Sequence, residues 1–234
     1  MRENRTSGSV RGALGNRRSY REIQEIMNEN ELKNRSEIRL KDLGIIVPPN
    51  LPEIESDDEL NPKGAYDVAM KISALGYVIG LGYVADTKEL ISNIERYSLS
   101  EFVSPYEWER LKNPSLLTEK DRNNFKWLAE CVYALAWCLN LLELEPLKQC
   151  PNNFADVVPP GVYPDVFIDG KALRDWVELK QEADFYYRLH WYTRECSLYG
   201  KEPPIGEGIT MERRRALDWV IGVSDDWDDM PLST

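Results

Sequence analysis

The chain has 234 residues, enough for one large domain or two small ones with a substantial core, and its formal charge is −11. That balance argues against nucleic acid as a general partner, because a phosphate backbone recruits a basic face. Four cysteines without metal-site spacing, a lone histidine (His190) and no secretory apolar segment argue against a Cys/His zinc site and point to a reducing, cytoplasmic setting.

The charge is unevenly spread. The first 21 residues hold six arginines against the single acid Glu3, a net +5, which leaves −16 on the remainder. Residues 1–18 therefore read as a mobile basic arm, and residues 19–234 as one folded domain. Any nucleic-acid contact would be a weak one through this arm.

Ser19 with Glu22 has the form of a capping box, and Ile23, Ile26 and Met27 follow it as a modest stripe. A further helix is expected over Glu37–Leu43, closed by Gly44. Residues 46–62 contain four prolines and a run of acids, the pattern of an extended surface linker. Asn61-Pro62 opens the next helix, whose stripe is Ala65, Val68, Ala69, Ile72, Leu75 and Ile79, and Gly80 and Gly82 end it. Three more boxes, Asp86/Glu89, Ser104/Glu107 and Thr118/Asp121, start three further helices.

The last of these three contains the stretch Phe125–Leu142, in which only Glu130 and Asn140 are polar from Trp127 onward. A helix apolar on nearly every side belongs inside a protein with others packed around it. At 16 residues the run is short of the roughly 20 that a membrane span needs. Beyond it, residues 146–170 carry Pro146, Pro151, Pro159, Pro160 and Pro164, the pattern of a long surface loop in which Val162–Ile168 could pair briefly as a strand. Two helices close the chain, one over about Lys171–Tyr199 and one from after Thr210 to about Val223. The expectation is a single all-α domain of about seven helices around a central apolar one, with a long Pro-rich loop.

Several runs are familiar: W-L-A-E-C-V-Y-A-L-A-W from Trp127, A-L-R-D from Ala172, Y-R-L-H-W from Tyr187, E-R-R-R-A-L-D-W from Glu212 and W-D-D-M-P-L from Trp227. In this order and spacing they resemble a bacterial family catalogued as domain of unknown function 4272, over most of the chain from about Ser36. The tail departs at Ser233, where an acid would be expected. The resemblance implies a mostly helical soluble domain and supplies no activity.

Among residues that could carry chemistry, Glu130 sits where its helix turns from polar to apolar. It reads as a carboxylate paired with Lys126 or with an arginine from another helix, against a general acid or base with a raised pKa. His190 has no nucleophile motif nearby and reads as a hydrogen-bonded residue at the core edge. The richest cluster is the stripe Asp184, Arg188, Trp191 and Glu195 on the penultimate helix, with Glu212 and Arg213 in the first turn of the last. It is expected to bring Glu212 or Arg213 within salt-bridge reach of Asp184, Arg188 or Glu195, as an interhelical network or as a small pocket for an anionic ligand.

The tail acids Asp225, Asp226, Asp228 and Asp229 match no calcium loop, and Trp227 is expected to anchor the tail while they face solvent. The Gly206-x-Gly208 pair is too short for a phosphate loop. No metal and no cofactor are implied. Two functions stay open. One is a non-catalytic interaction module, immunity-like or adaptor, binding another protein through its acidic surface or through the Glu143–Gly170 loop. The other is an enzyme or small anionic-ligand binder using the polar cluster.

Overall fold

Capping chemistry sets where the helices of this chain start and stop. The computed structural model describes residues 28–152, 163, 166 and 169–233. The basic arm, the Ser19/Glu22 box with its stripe, and most of residues 153–168 lie outside the described residues. Seven α-helices are present among the described residues: α1 Glu29–Asp42, α2 Ala65–Val78, α3 Thr87–Arg96, α4 Pro105–Lys112, α5 Glu119–Cys138, α6 Trp176–Leu198 and α7 Glu207–Ile221. Short 3-10 turns occupy Ile79–Tyr83, Ser100–Phe102 and Pro114–Leu116, and no strand occurs among the described residues. This is the all-α single domain expected.

The Ser104/Glu107 and Thr118/Asp121 boxes form with both reciprocal bonds. Asp86 caps α3 by accepting from the Lys88 N–H at 2.9 Å, rather than through a box with Glu89. Helix α1 is twice the expected length, because Asn28 and Glu31 make a box that opens it well before Glu37. Gly44 ends it at φ +78, with the Ile45 N–H returning to the Leu40 carbonyl at 2.9 Å.

Helix α2 starts at Ala65, not after Pro62. The Asn61 and Lys63 N–H groups donate to the Gly222 and Val220 carbonyls at 3.1 and 2.9 Å, which holds residues 61–63 extended along the end of α7. Helix α7 starts at Glu207, earlier than expected, because the Thr210 hydroxyl turns back onto the Glu207 carbonyl at 2.9 Å instead of capping. Residues 171–175 are not yet helical. Arg174 donates from Nε to the Trp137 carbonyl at 2.8 Å and from Nη2 to the Leu142 carbonyl at 3.1 Å, so this segment closes the C-terminal end of α5. Val166 is helical, with its N–H on the Tyr163 carbonyl at 3.0 Å, where a strand was expected.

Helix α5 stops at Cys138 rather than Leu142. Asn140 turns left-handed at φ +58, and the Leu141 N–H bonds the Ala136 carbonyl at 3.1 Å. Its residues from Glu130 to Cys138 are all buried, whereas its first turns bury only Phe125 and Leu128. It packs against α2, against the Ile79–Tyr83 turn and against α7, while α6 lies between α7 and α1. One apolar cluster runs through all of these elements. At the crossing with α5, a Cβ on Gly82 would lie 2.7 Å from Lys126 Cγ and 2.8 Å from the Arg122 carbonyl oxygen, so only glycine fits.

Candidate functional site

Three consecutive arginines on α7 point three ways, since neighbours on a helix are about 100° apart. Arg213 donates from Nε to Glu130 Oε2 at 2.8 Å, from Nη1 to the Tyr186 hydroxyl at 2.9 Å, and to the Glu145 and Lys148 carbonyls at 2.9 and 2.7 Å. The other Glu130 oxygen accepts the Cys150 N–H at 2.9 Å. Both partners are essentially without solvent contact, so this is the carboxylate paired with an arginine from another helix. Arg215 donates to Glu212 Oε2 at 3.1 Å, and the Cys131 thiol lies 3.1 Å from the same oxygen. Burial raises the Glu212 pKa, and burial and then Glu212 push the Cys131 thiol far up, which leaves it a poor nucleophile.

Arg214 donates to Asp218 Oδ2 at 3.0 Å and to the Pro231 and Leu232 carbonyls, and lies 3.3 Å from His190 Nδ1. Burial, then Arg214 and Arg194, pull the His190 pKa down to about 4, so the ring is neutral at physiological pH. Burial raises Asp218 to about 7. The α6–α7 seam is thus polar: Tyr186 meets Arg213, His190 meets Arg214, and the Thr193 and Thr210 hydroxyls lie 2.8 Å apart.

The stripe Asp184, Arg188, Trp191 and Glu195 is on the opposite flank of α6, roughly half a turn away. It faces α1 and the linker, not α7. Arg188 holds Asp184 through two bonds, Nε to Oδ2 at 2.9 Å and Nη2 to Oδ1 at 2.8 Å, with both side chains fully buried. Its Nη2 also donates to the Pro52 carbonyl at 3.0 Å, while Lys33 donates to the Pro49 and Leu51 carbonyls at 2.6 and 2.7 Å. These two cations clamp the linker against α1 and α6.

The clamp makes a wall of the residues just before it. Ile46, Val47, Pro48 and Pro49 stand beside the C-terminal half of α6 and enclose a groove of 420 Å³. Trp191, Tyr192, Glu195, Cys196, Tyr199 and Lys201 complete its lining. Of the lining residues, Ile46 is 78% and Tyr199 72% exposed.

The six residues singled out in the sequence therefore do not form one cluster. Asp184 and Arg188 position the groove wall, and Trp191 and Glu195 line the groove. Glu212 and Arg213 are closed in two separate buried pairs, out of the expected contact with the α6 stripe. The linker residues and Tyr199 were missed; the Pro48-Pro49 pair beside exposed apolar residues was the only signal for them. Trp227 does anchor the tail, packing edge-on to Trp219 at 5.7 Å, with Lys71 Nζ 4.0 Å from its ring centre. Of the exposed tail acids, Asp225 pairs with Lys63 and Asp228 accepts the Tyr106 N–H at 2.9 Å. Among the described residues no group of three or more His, Cys, Asp or Glu could hold a metal ion. His190 is on the far flank of α6 from the groove, and Cys196 in its lining is buried.

A family model described as "Domain of unknown function (DUF4272)" matches residues 32–230. No curated protein and no solved structure matches.

Proposed function

The chain belongs to the DUF4272 family, and from that premise we propose that it is a non-catalytic interaction module, of adaptor or immunity-like type, whose protein partner docks in the groove between residues 46–49 and the end of α6. The observation that carries this reading is the exposed apolar lining. Ile46 and Tyr199 keep most of their surface in water, and contiguous apolar and aromatic surface rimmed by polar groups marks interfaces. The clamp from Arg188 and Lys33 fixes one wall in advance, which lowers the ordering cost of association.

The alternative, an enzyme or anionic-ligand site between the last two helices, finds no support in the geometry. The arginines there already bond carboxylates and carbonyls, and His190 is neutral and buried. All four cysteines are free, which fits the reducing, cytoplasmic setting that we also propose. No helix among the described residues is long and apolar enough to cross a membrane.

The test is a single exposed substitution. Tyr199→Glu should leave the unfolding free energy within about 0.5 kcal/mol of the parent, since Tyr199 is a surface position. The same substitution should abolish co-purification of the partner from native lysate. A folded variant that still carries the partner at the parent's level would show that the groove is not the docking face.

A further inference from the structure

We infer that the C-terminal tail is an exchangeable strap, in which Trp227 and Asp228 fill a socket on the body that also accepts an acidic aromatic segment of another chain. The socket shares no residue with the groove, and the inference does not depend on what docks there. The first argument is how the tail is held. The Val223 N–H still returns to the Asp218 carbonyl at 2.9 Å, but beyond it no backbone–backbone bond joins residues 224–233 to the body among the described residues. The N–H groups of Asp226, Asp228 and Asp229 turn onto the Ser224 and Asp226 side chains, and that of Leu232 onto the Met230 carbonyl, all within the tail. Side chains alone make the attachment: Asp225 to Lys63, Asp228 to the Tyr106 N–H, Trp227 in its socket, and Arg214 reaching out to the Pro231 and Leu232 carbonyls. Such a segment leaves its seat as a bound peptide does, without breaking a helix or a ladder.

The second argument is what Trp227 covers. Lys71 Nζ stands 4.0 Å and Arg215 Cζ 5.9 Å from its ring centre, so two cations face one indole, while Trp219 meets it edge-on. Each cation has its own carboxylate, Lys71 with Glu107 at 3.7 Å and Arg215 with Glu212 at 3.1 Å. Lys71, Glu107 and Glu212 are all buried, and burial pulls the Lys71 pKa down against the attraction of Glu107. A plug over buried ions differs from one in an apolar core. When it lifts, hydration of the ions offsets part of the lost contact. The lifted state is therefore reachable short of global unfolding.

The tail itself supplies the third argument, because it shows what the socket recognises. The ring sits over the cations, and the carboxylate of the next residue, Asp228, accepts the Tyr106 N–H at 2.9 Å in the first turn of α4, where a helix favours an anion. The occupant is therefore an aromatic residue followed by an acid. A segment lacking either half forfeits the ring contacts or the helix contact.

The experiment vacates the socket and supplies the plug in trans. The full chain carrying Trp227→Ala is titrated with a synthetic peptide of the tail sequence, Ser-Asp-Asp-Trp-Asp-Asp-Met-Pro-Leu, and thermal unfolding is followed. At millimolar peptide the midpoint should rise by about 3 °C or more. The peptide with alanine for tryptophan should give no rise, and the one with asparagine for the aspartate after it a smaller one. Adding Arg215→Gln to the chain should weaken the peptide about threefold through the lost cation. A folded Trp227→Ala chain that the tail peptide does not stabilise would overturn the inference, and so would an equal rise with the alanine peptide. Should Trp227→Ala prevent folding, the parent chain decides. Acylation of Lys71 should then depend on urea less steeply than alkylation of Cys138, which is fully buried in α5 and reports global unfolding. Equal urea dependence at both would mean that the tail leaves only when the whole fold does, and the strap would be refuted.

Discussion

At the scale of single residues, the interior of this protein is unusual for its charge. His190 and Asp218 both contact Arg214, yet their ionisation affects stability in opposite directions. His190 titrates near 4 in the fold against an ordinary 6.5, so the unfolded chain takes up its proton first and stability is lost as pH falls from 6.5 towards 4. Asp218 titrates near 7 against 3.8, so the folded chain holds a proton that the unfolded one has released, and stability is lost as pH rises from 3.8 through 7. Between about pH 4 and 6.5 the two slopes oppose each other, each spanning a few kcal/mol. Urea denaturation should show His190→Gln losing stability relative to the parent as pH rises across that window, and Asp218→Asn losing it as pH falls. Variants that keep the parent's pH slope would contradict the assignment. A double-mutant cycle separates the buried pairs in the same way. Glu130 and Arg213 should couple by about 1–3 kcal/mol, whereas Arg188→Ala and Glu212→Ala should add within about 0.5 kcal/mol, having no partner in common. That Glu130 needs a cationic partner, Lys126 or an arginine, was legible, because a lone carboxylate among apolar neighbours must be paired. Which arginine was not, because spacing says which residues share a face and not which face meets which helix.

The same boundary between legible and hidden runs through the elements. Helix starts written in local chemistry, such as Ser104/Glu107 and Thr118/Asp121, were readable because both halves of each box are close in sequence. Starts decided by distant partners were not. Residues 61–63 looked like the opening of α2, but the carbonyls at the end of α7 draw their N–H groups into an extended pairing. That pairing brings Gly222, at φ +87, so close that a Cβ there would lie 2.1 Å from the Asn61 carbonyl oxygen. Gly222→Ala should therefore cost about 3 kcal/mol or more in chemical denaturation, through both the backbone angle and the clash. Gly82→Ala should be comparably damaging at the α5 crossing, while Gly76→Ala, whose Cβ would meet nothing within 4 Å, should be neutral or mildly stabilising. Equal effects at all three glycines would show that the close approaches are not what constrains them. The linker is the element most altered by tertiary contacts. It reads as featureless surface chain, yet Lys33 and Arg188 hold its carbonyls and turn its proline pair into a wall.

For the whole molecule, an acidic all-α domain places its arginines inside and part of its apolar surface outside. The buried pairs join α5, α6 and α7, and the groove lies on the other flank of α6, beside residues 46–49 of the linker. The division predicts that interior substitutions such as Arg213→Ala act through stability, and groove substitutions such as Tyr199→Glu act through binding. A second exposed apolar area, at Tyr83 and Val84, competes for the role of docking face. The most direct test is a photo-crosslinking scan in the native host, placing one photoreactive residue in turn at positions 46, 199, 38, 83 and 84. Adducts with one discrete protein at 46 and 199, and none at the other three, are the expected result. Adducts at 83 or 84 with none at 46 and 199 would contradict it.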